Sequence, residues 1–218
     1  MLAAGLLLHG GAVRAEPGVP DGQIMGTKED RILWIFPNFR TVEEKEAAPS
    51  ISNMDKFRIA AKDSFDPYAF PVAAGYAGLS HLTNEYPSWG RGLDGYGHRY
   101  VGAFADQTVA NMMAGAVFPI LLHQDPRYFR LGAGGVAHRT GYAATRVFVT
   151  RSDSGGAQFN YSEIAGIAVM AGASNAYYPR QDRSWENTAS KFGIQLGLNM
   201  IGNICKEFWP DVKRFLVR

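Results

Sequence analysis

The chain has 218 residues, of which 46% are hydrophobic, enough for one core of moderate size. Its 22 basic and 20 acidic residues nearly balance, which argues against nucleic acid as a main partner because such a partner favours a concentrated basic face. The single cysteine, Cys205, excludes an internal disulfide and any cysteine-based metal cluster. Because Cys205 lies among apolar residues in a predicted helix, we expect it to be a small buried hydrophobic residue.

The N-terminus has the features of a secretion signal. Residues 2–8 form a short apolar run, and Val13 and Ala15 place small residues just before Glu16. We therefore predict a signal peptide over residues 1–15 and an exported protein, with a disordered terminus as the alternative. Residues 16–51 are predicted to be a linker followed by an extended segment, in which the apolar run 31–37 lies across the main body or forms a short strand.

The region 52–218 is predicted to be one helical domain. Apolar periodicity and breaker residues indicate helices at 52–65, 72–82, 101–118, 136–149, 161–178 and 186–208. Ser52 or Asn53 can cap the first of these helices. Residues 84–99, rich in glycine and aromatic side chains, predict a tight loop, and 147–150 could equally be strand. The fold class is thus mainly α, a compact bundle of about five helices with close packing through Gly and Ala, plus the extended N-terminal segment.

Small residues recur at every fourth position on the predicted long helices, so that they line one face of each. Such faces allow another helix backbone to approach closely, as small-xxx-small patterns do in membrane helices. The helix predicted at 101–118 carries Ala110 and Ala114 in this spacing. In the other two long helices the predicted packing residues are Ala168, Gly172, Ala176, Ala189, Gly193 and Gly197.

Amide side chains form a second periodic pattern. In the last helix they are offset by two positions from the glycines, which places them on the opposite face. We expect these amides either to face water or to form a buried hydrogen-bonded network. The residues are Gln107, Asn111, Gln195, Asn199 and Asn203. Because these amides, together with Asp106 and with Ser174 and Asn175, interrupt the longest apolar stretches, the sequence holds no clear membrane span of about 20 residues.

A polar cluster around the sequence HQDPRYFR offers a candidate active site. His123 or His138 could act as a base that Asp125 orients, and neighbouring arginines could hold an anion. In the structural alternative, the Asp-Pro step starts a turn and the arginines pair around it. The sequence predicts no metal site and no cofactor, since it has no HExxH motif and its histidines are far apart.

Several separated motifs resemble those of a group of uncharacterised exported bacterial proteins that are common in acidobacteria. The motifs are DSFDP at 63–67, GYGHRY at 95–100, HQDPRYF at 123–129, SNAYYP at 174–179 and EFWPD at 207–211. The likeness spans about residues 32–214. It implies a bacterial source and a location in the cell envelope, in the periplasm or outer membrane. It implies no activity and no catalytic residues.

The sequence favours a non-enzymatic envelope protein that self-associates or docks on a membrane through its small-residue faces. The partners expected are therefore a second copy of the chain, another envelope protein or a membrane. One alternative is an envelope hydrolase centred on His123, Asp125 and His138. The other is a carrier of small apolar ligands, which requires an enclosed pocket between the helices.

Overall fold

The computed structural model describes Arg31–Ile32, Phe36–Pro37, Thr41–Glu43 and residues 50–216. The predicted signal peptide at 1–15 and much of the predicted linker lie outside these residues. None of the helices in the described part of the chain combines the length and the hydropathy that a membrane span requires.

Six helices dominate the described residues, which confirms the predicted mainly α fold. Helix α3 spans 92–121, regular over Gly92–Met112, π-helical over Met113–Val117 and regular again over Phe118–Leu121. The other helices are α1 (Asn53–Phe65), α2 (Ala69–Leu82), α4 (Val136–Thr145), α5 (Tyr161–Ser174) and α6 (Trp185–Leu216).

In the described part of the chain, seven short strands pair in three small groups. Strands β1 (Arg31–Ile32) and β2 (Phe36–Pro37) are antiparallel, in line with the short-strand alternative for residues 31–37. Strand β3 (Thr41–Glu43) runs parallel to β5 (Tyr128–Arg130) and so places the N-terminal segment against the body. The third sheet is antiparallel and consists of β4 (Gln124–Asp125), β6 (Val149–Ser152) and β7 (Ala157–Phe159).

Side-chain caps set the starts of α1 and α5. The Ser52 hydroxyl accepts a hydrogen bond from the Asp55 amide at 3.2 Å, so Ser52 is the cap of α1, one of the two residues predicted for that role. The Asn160 side chain accepts from the Glu163 amide at 3.1 Å and caps α5 in the same way. This second cap follows directly after β7, so it fixes where the chain turns from sheet into helix.

Two helix boundaries differ from the prediction for physical reasons that lie far away in sequence. Helix α3 begins at Gly92, nine residues before the predicted start, because Arg99 donates to the carbonyls of Glu85, Tyr86 and Gly90 and so holds the preceding loop against the helix. Helix α6 continues through Pro210 to Leu216. There the Arg139 guanidinium binds the Glu207 side chain and carbonyl on one side of the proline and Asp211 on the other.

The core lies between α3, α5 and α6. Ala110 on α3 packs with the fully buried Ile167 and Met170 of α5, and Phe192 and Leu196 of α6 complete the cluster. One turn further along α3, at the π-helical segment, a Cβ added at Gly166 would lie 2.5 Å from the Ala114 nitrogen. The small residues of α3 therefore do allow a close helix contact, as predicted, with Gly166 as their partner.

The close intramolecular packing predicted for the other two small-residue faces is wrong. A Cβ added at Gly172, Gly193 or Gly197 would meet no atom within 4 Å. The alanines of the same faces are exposed as well: Ala168, Ala176 and Ala189. The sequence periodicity identified the small-residue faces of α5 and α6 but not which way these faces point. The two helices contact the core through larger apolar residues, so their small-residue faces point outward. Helix α5 also ends at Ser174, so Ala176 lies in the turn that follows.

The contact at Gly166 generates a stability prediction with a control on the same helix. We expect Gly166→Ala to lower the free energy of unfolding by about 1–3 kcal/mol, because the new methyl group would meet backbone atoms of Ala114 that cannot move freely. Gly172→Ala should leave it unchanged or raise it by up to about 1 kcal/mol, because the space there is open and alanine favours helix. Urea denaturation of both variants measures the difference, and equal effects would contradict the close contact.

Candidate functional site

A cavity of about 660 Å³ lies between α3, α5 and α6 and is the candidate functional site. Helix α2 and the segment after α3 complete its wall. All five amides singled out in the sequence line it, two from α3 and three from α6. They are Gln107, Asn111, Gln195, Asn199 and Asn203. The structure thus turns the amide faces of two helices towards one space, in which each of the five is partly buried.

Part of this amide surface is hydrogen-bonded. Gln195 Nε2 donates to Asn199 Oδ1 at 2.9 Å. The Asn199 amide nitrogen in turn donates to the carboxylate of Glu163, which lies in the first turn of α5. These bonds link α6 to the N-terminal end of α5 across the cavity wall and hold the Glu163 carboxylate in place.

Three other polar atoms along the cavity are buried without a hydrogen-bond partner. They are Nδ2 of Asn111 on α3, Oγ of Ser162 on α5 and Nε of Arg146 just after α4. Each of these atoms can donate a hydrogen bond. A buried donor without an acceptor costs about 1–3 kcal/mol, so three on one cavity wall require an explanation.

Apolar side chains form much of the remaining wall. Ile167 and Met170 of α5 are fully buried, whereas Leu198 and Ile201 of α6 line the cavity but are 46% and 58% exposed. The cavity therefore has an apolar interior and an apolar edge along α6 where it meets the outside. Donors around an apolar space are the arrangement that binds molecules with both polar and apolar parts.

A charged and aromatic cluster lies where α3 meets the N-terminal half of α6. Lys191 is buried, with its Nζ 3.1 Å from Asp106 Oδ2 and 2.9 Å from the centroid of the Tyr178 ring. The Asp106 carboxylate also accepts the hydroxyls of Tyr177 at 2.5 Å and Tyr178 at 2.7 Å. Burial lowers the pKa of Lys191 to about 8, although the nearby Asp106 charge acts in the opposite direction. Burial and Asp106 together raise the pKa of both tyrosines.

The HQDPRYFR and EFWPD motifs are joined by a buried carboxylate. Glu207 on α6 accepts hydrogen bonds from the Tyr128 hydroxyl at 2.8 Å and from Arg139 Nε at 2.8 Å. It also accepts from the amides of Leu131 at 3.0 Å and Gly132 at 2.9 Å. Burial alone raises the pKa of Glu207, but the hydrogen bonds from Arg139, Gly132, Tyr128 and Leu131 lower it overall. The two motifs therefore fix α6 against α4 and β5.

The structure does not form the predicted catalytic arrangement. Asp125 is buried and its two carboxylate oxygens accept from Arg127 Nε and Nη2 at 3.0 and 2.6 Å, so it orients no histidine. His123 is exposed, has a positive φ of 52° and lies with Nδ1 3.9 Å from Asp153. His138 is exposed on the first turn of α4, beside Gly134. These positions correspond to the structural alternative, in which the arginine pairs at the Asp-Pro turn.

Cys205 differs from its expected place. It is exposed and lies on the cavity wall rather than in the core. Among the described residues, no group of three or more histidine, cysteine, aspartate or glutamate side chains could hold a metal ion.

Sequence reasoning missed three residues that matter most at the cavity: Arg146, Ser162 and Lys191. Ser162 had a detectable signal, since it follows the Asn160 cap and therefore lies in the first turn of a helix. Arg146 had none, because its lack of a hydrogen-bond partner at Nε depends on the folded chain.

Comparison with known proteins adds no assignment. No family model matches the chain, and no curated protein and no solved structure matches it either.

The Lys191 cluster predicts an unusual dependence of stability on pH. Between pH 8 and 10.5 the unfolded chain keeps a proton on Lys191 that the folded chain has lost, so raising the pH favours folding. Above pH 10.0 the unfolded chain loses tyrosine protons that Tyr177 and Tyr178 retain when folded, so stability falls again. We expect the free energy of unfolding to rise by at most about 1 kcal/mol between pH 8 and 10 and then to decline, because Tyr76, Tyr86 and Tyr128 also have raised pKa values and oppose the rise as the pH nears 10.

Urea denaturation at a series of pH values measures this profile. Lys191→Met is the control, because it should lose the rise between pH 8 and 10 while keeping the decline above it. A wild-type profile without that rise would contradict the shifted lysine.

Proposed function

We propose that the protein is a non-enzymatic binding protein that holds a small amphipathic molecule in the cavity between α3, α5 and α6. The proposal depends on one observation, the three buried donors without partners on the cavity wall, Asn111 Nδ2, Ser162 Oγ and Arg146 Nε. A ligand with oxygen acceptors would satisfy them, and its apolar part would contact Leu198 and Ile201.

The size of the space supports this proposal. A volume of about 660 Å³ falls within the range of about 300–1,000 Å³ found for ligand pockets. Ordered water could also satisfy the donors, but water gains nothing from the apolar wall that surrounds them. The apolar edge formed by Leu198 and Ile201 gives an apolar ligand a continuous path from outside.

Export to a bacterial envelope, in the periplasm or outer membrane, is part of the same proposal. Its support is the leader pattern of residues 1–15 and the resemblance carried by the HQDPRYF and EFWPD motifs. In such a location, a cavity of this kind would suit a carrier of amphipathic molecules.

Blocking the cavity tests the binding function. The probe is N-phenyl-1-naphthylamine, a neutral dye whose fluorescence rises in apolar surroundings. Gly202 lines the cavity, and an added Cβ there would meet no atom within 4 Å. Gly202→Phe should therefore keep the fold, project a ring into the cavity and weaken dye binding by at least about fivefold, the loss of roughly 1 kcal/mol.

Gly141→Phe is the matched control for this experiment. It places the same side chain in the interior of another helix, α4, at an exposed position with equally open surroundings outside the cavity wall. It should leave dye affinity unchanged. Equal loss in both variants, or no dye binding to the wild-type protein, would contradict the proposed function.

A second proposal concerns assembly. We propose that two copies of the chain associate through the outward small-residue faces of α5 and α6. The support is the open space around Gly172, Gly193 and Gly197 together with two exposed apolar neighbours, Val169 and Trp185. Small residues permit close backbone approach, and the neighbouring apolar side chains lose water-exposed area when a copy covers them.

Sedimentation analysis tests this assembly. We expect a concentration-dependent oligomer for the wild-type chain and a monomer for the double variant Gly193→Leu and Gly197→Leu, because the added side chains hold the partner helix away. The folded monomer should keep its thermal midpoint, since neither position contacts another part of the chain. A monomeric wild type, or a variant with unchanged assembly, would contradict the proposal.

A further inference from the structure

One end of the cavity collects positive charge and hydrogen-bond donors. Asn160 joins the two elements there, since its Nδ2 donates to the Arg146 carbonyl at 3.4 Å and its backbone amide donates to the Phe148 carbonyl at 2.9 Å. This connection places the C-terminus of α4 beside the N-terminus of α5. Arg146, Asn160 and Ser162 therefore lie around the same end of the cavity, which all three line.

Arg146 has no carboxylate partner among the described residues, unlike Arg127 and Arg139. Arg127 pairs with Asp125, and Arg139 pairs with Glu207 and Asp211. The Arg146 guanidinium instead lies over the Tyr142 ring at 4.3 Å, and its Nε is buried without an acceptor. A partly buried guanidinium without a counter-charge is unfavourable, and an anion at this end of the cavity would relieve that cost.

Ser162 provides a second donor at the same end. Its side chain is almost fully buried, at 2% exposure, and its hydroxyl has no partner. Its backbone amide is already satisfied by Gln124 Oε1 at 2.8 Å, so the hydroxyl alone is left to bind a ligand. It lies in the first turn of α5, a helix of 14 residues, where the helix dipole favours negative charge.

The charges nearby restrict the anion to a single negative charge. Glu163 follows Ser162 directly and lines the cavity as a carboxylate bonded to Asn199. Asp125 lines it too, with its charge matched by Arg127. One unmatched arginine next to these carboxylates can balance a carboxylate head, whereas a doubly charged phosphate would be repelled.

We propose that the ligand of the cavity is a carboxylate amphiphile, whose head is bound by Arg146 and Ser162 and whose alkyl tail lies along Leu198 and Ile201. This inference rests on the proposed binding function and specifies the class of ligand. The Arg146 guanidinium supplies parallel N–H donors that match the two oxygens of a carboxylate, and the Ser162 hydroxyl supplies a further donor.

The experiment compares three amphiphiles with the same tail: decanoate, decan-1-ol and decyl phosphate. Each is measured by its ability to displace N-phenyl-1-naphthylamine from the full-length protein at neutral pH. We expect decanoate to displace the dye at a concentration about tenfold lower than decan-1-ol, and decyl phosphate to be weaker than decanoate. If the wild-type protein binds the dye but decanoate and decan-1-ol displace it equally well, the proposed carboxylate site would be wrong, whereas the proposed binding function would stand.

Variants separate a direct role of Arg146 from a structural one. Arg146→Gln should weaken the binding of decanoate by about tenfold and leave the binding of decan-1-ol unchanged. Only decanoate has a charged head group, which loses its partner in this variant. Arg58→Gln, an exposed residue on α1 outside the cavity wall, removes the same net charge and should change neither. Ser162→Ala should weaken decanoate by a smaller factor than Arg146→Gln does.

The remaining outcomes show whether the carboxylate site alone is wrong or the binding function as well. Equal weakening of decanoate and decan-1-ol by Arg146→Gln would overturn the carboxylate site and indicate damage to the cavity. Tighter binding of decyl phosphate than of decanoate would likewise overturn the carboxylate head. Failure of the dye and of every amphiphile to bind the wild-type protein would overturn the binding function together with the inference built on it.

Discussion

The buried carboxylate of Glu207 is the constraint on which the arrangement of α6 depends. It has no solvent exposure, and such a charge is tolerated only when several donors surround it. Four donors do so here: one from β5, two from the segment after it and one from α4. Because Arg139 also binds the Glu207 carbonyl and Asp211, the same cluster holds α6 straight across Pro210, where a helix would otherwise break.

A second buried cluster fixes the other half of α6. Lys191 and Asp106 tie it to α3, and the Tyr177 and Tyr178 hydroxyls complete the shell of the carboxylate. The two clusters lie 16 residues apart on one helix, which is about 24 Å along its axis. Between them α6 presents mostly amides and apolar side chains to the cavity rather than to a tightly packed neighbour. The cavity thus follows from a helix that is held firmly near both ends and packed loosely in the middle.

Much of the fold could be predicted from local patterns. The mainly helical class, the alternative caps for α1 and the periodic amides on two helices all depend on residues close in sequence. The direction of each helix face could not be predicted in the same way. The extended start of α3 depends on Arg99 reaching carbonyls of a preceding loop, and the burial of Lys56 depends on Asp153, 97 residues away. Neither contact can be predicted from the residues that are adjacent in sequence.

The same distinction applies to the candidate site. Its amides were visible because they repeat, whereas Arg146 became notable only when its missing partner could be compared with the pairs formed by Arg127 and Arg139. Three of the buried donors without partners lie along one cavity, where a bound molecule could complete them and leave again. A cavity wall in which every donor was already hydrogen-bonded would be more stable. It would bind a polar ligand less well, because no donor would be left for the ligand.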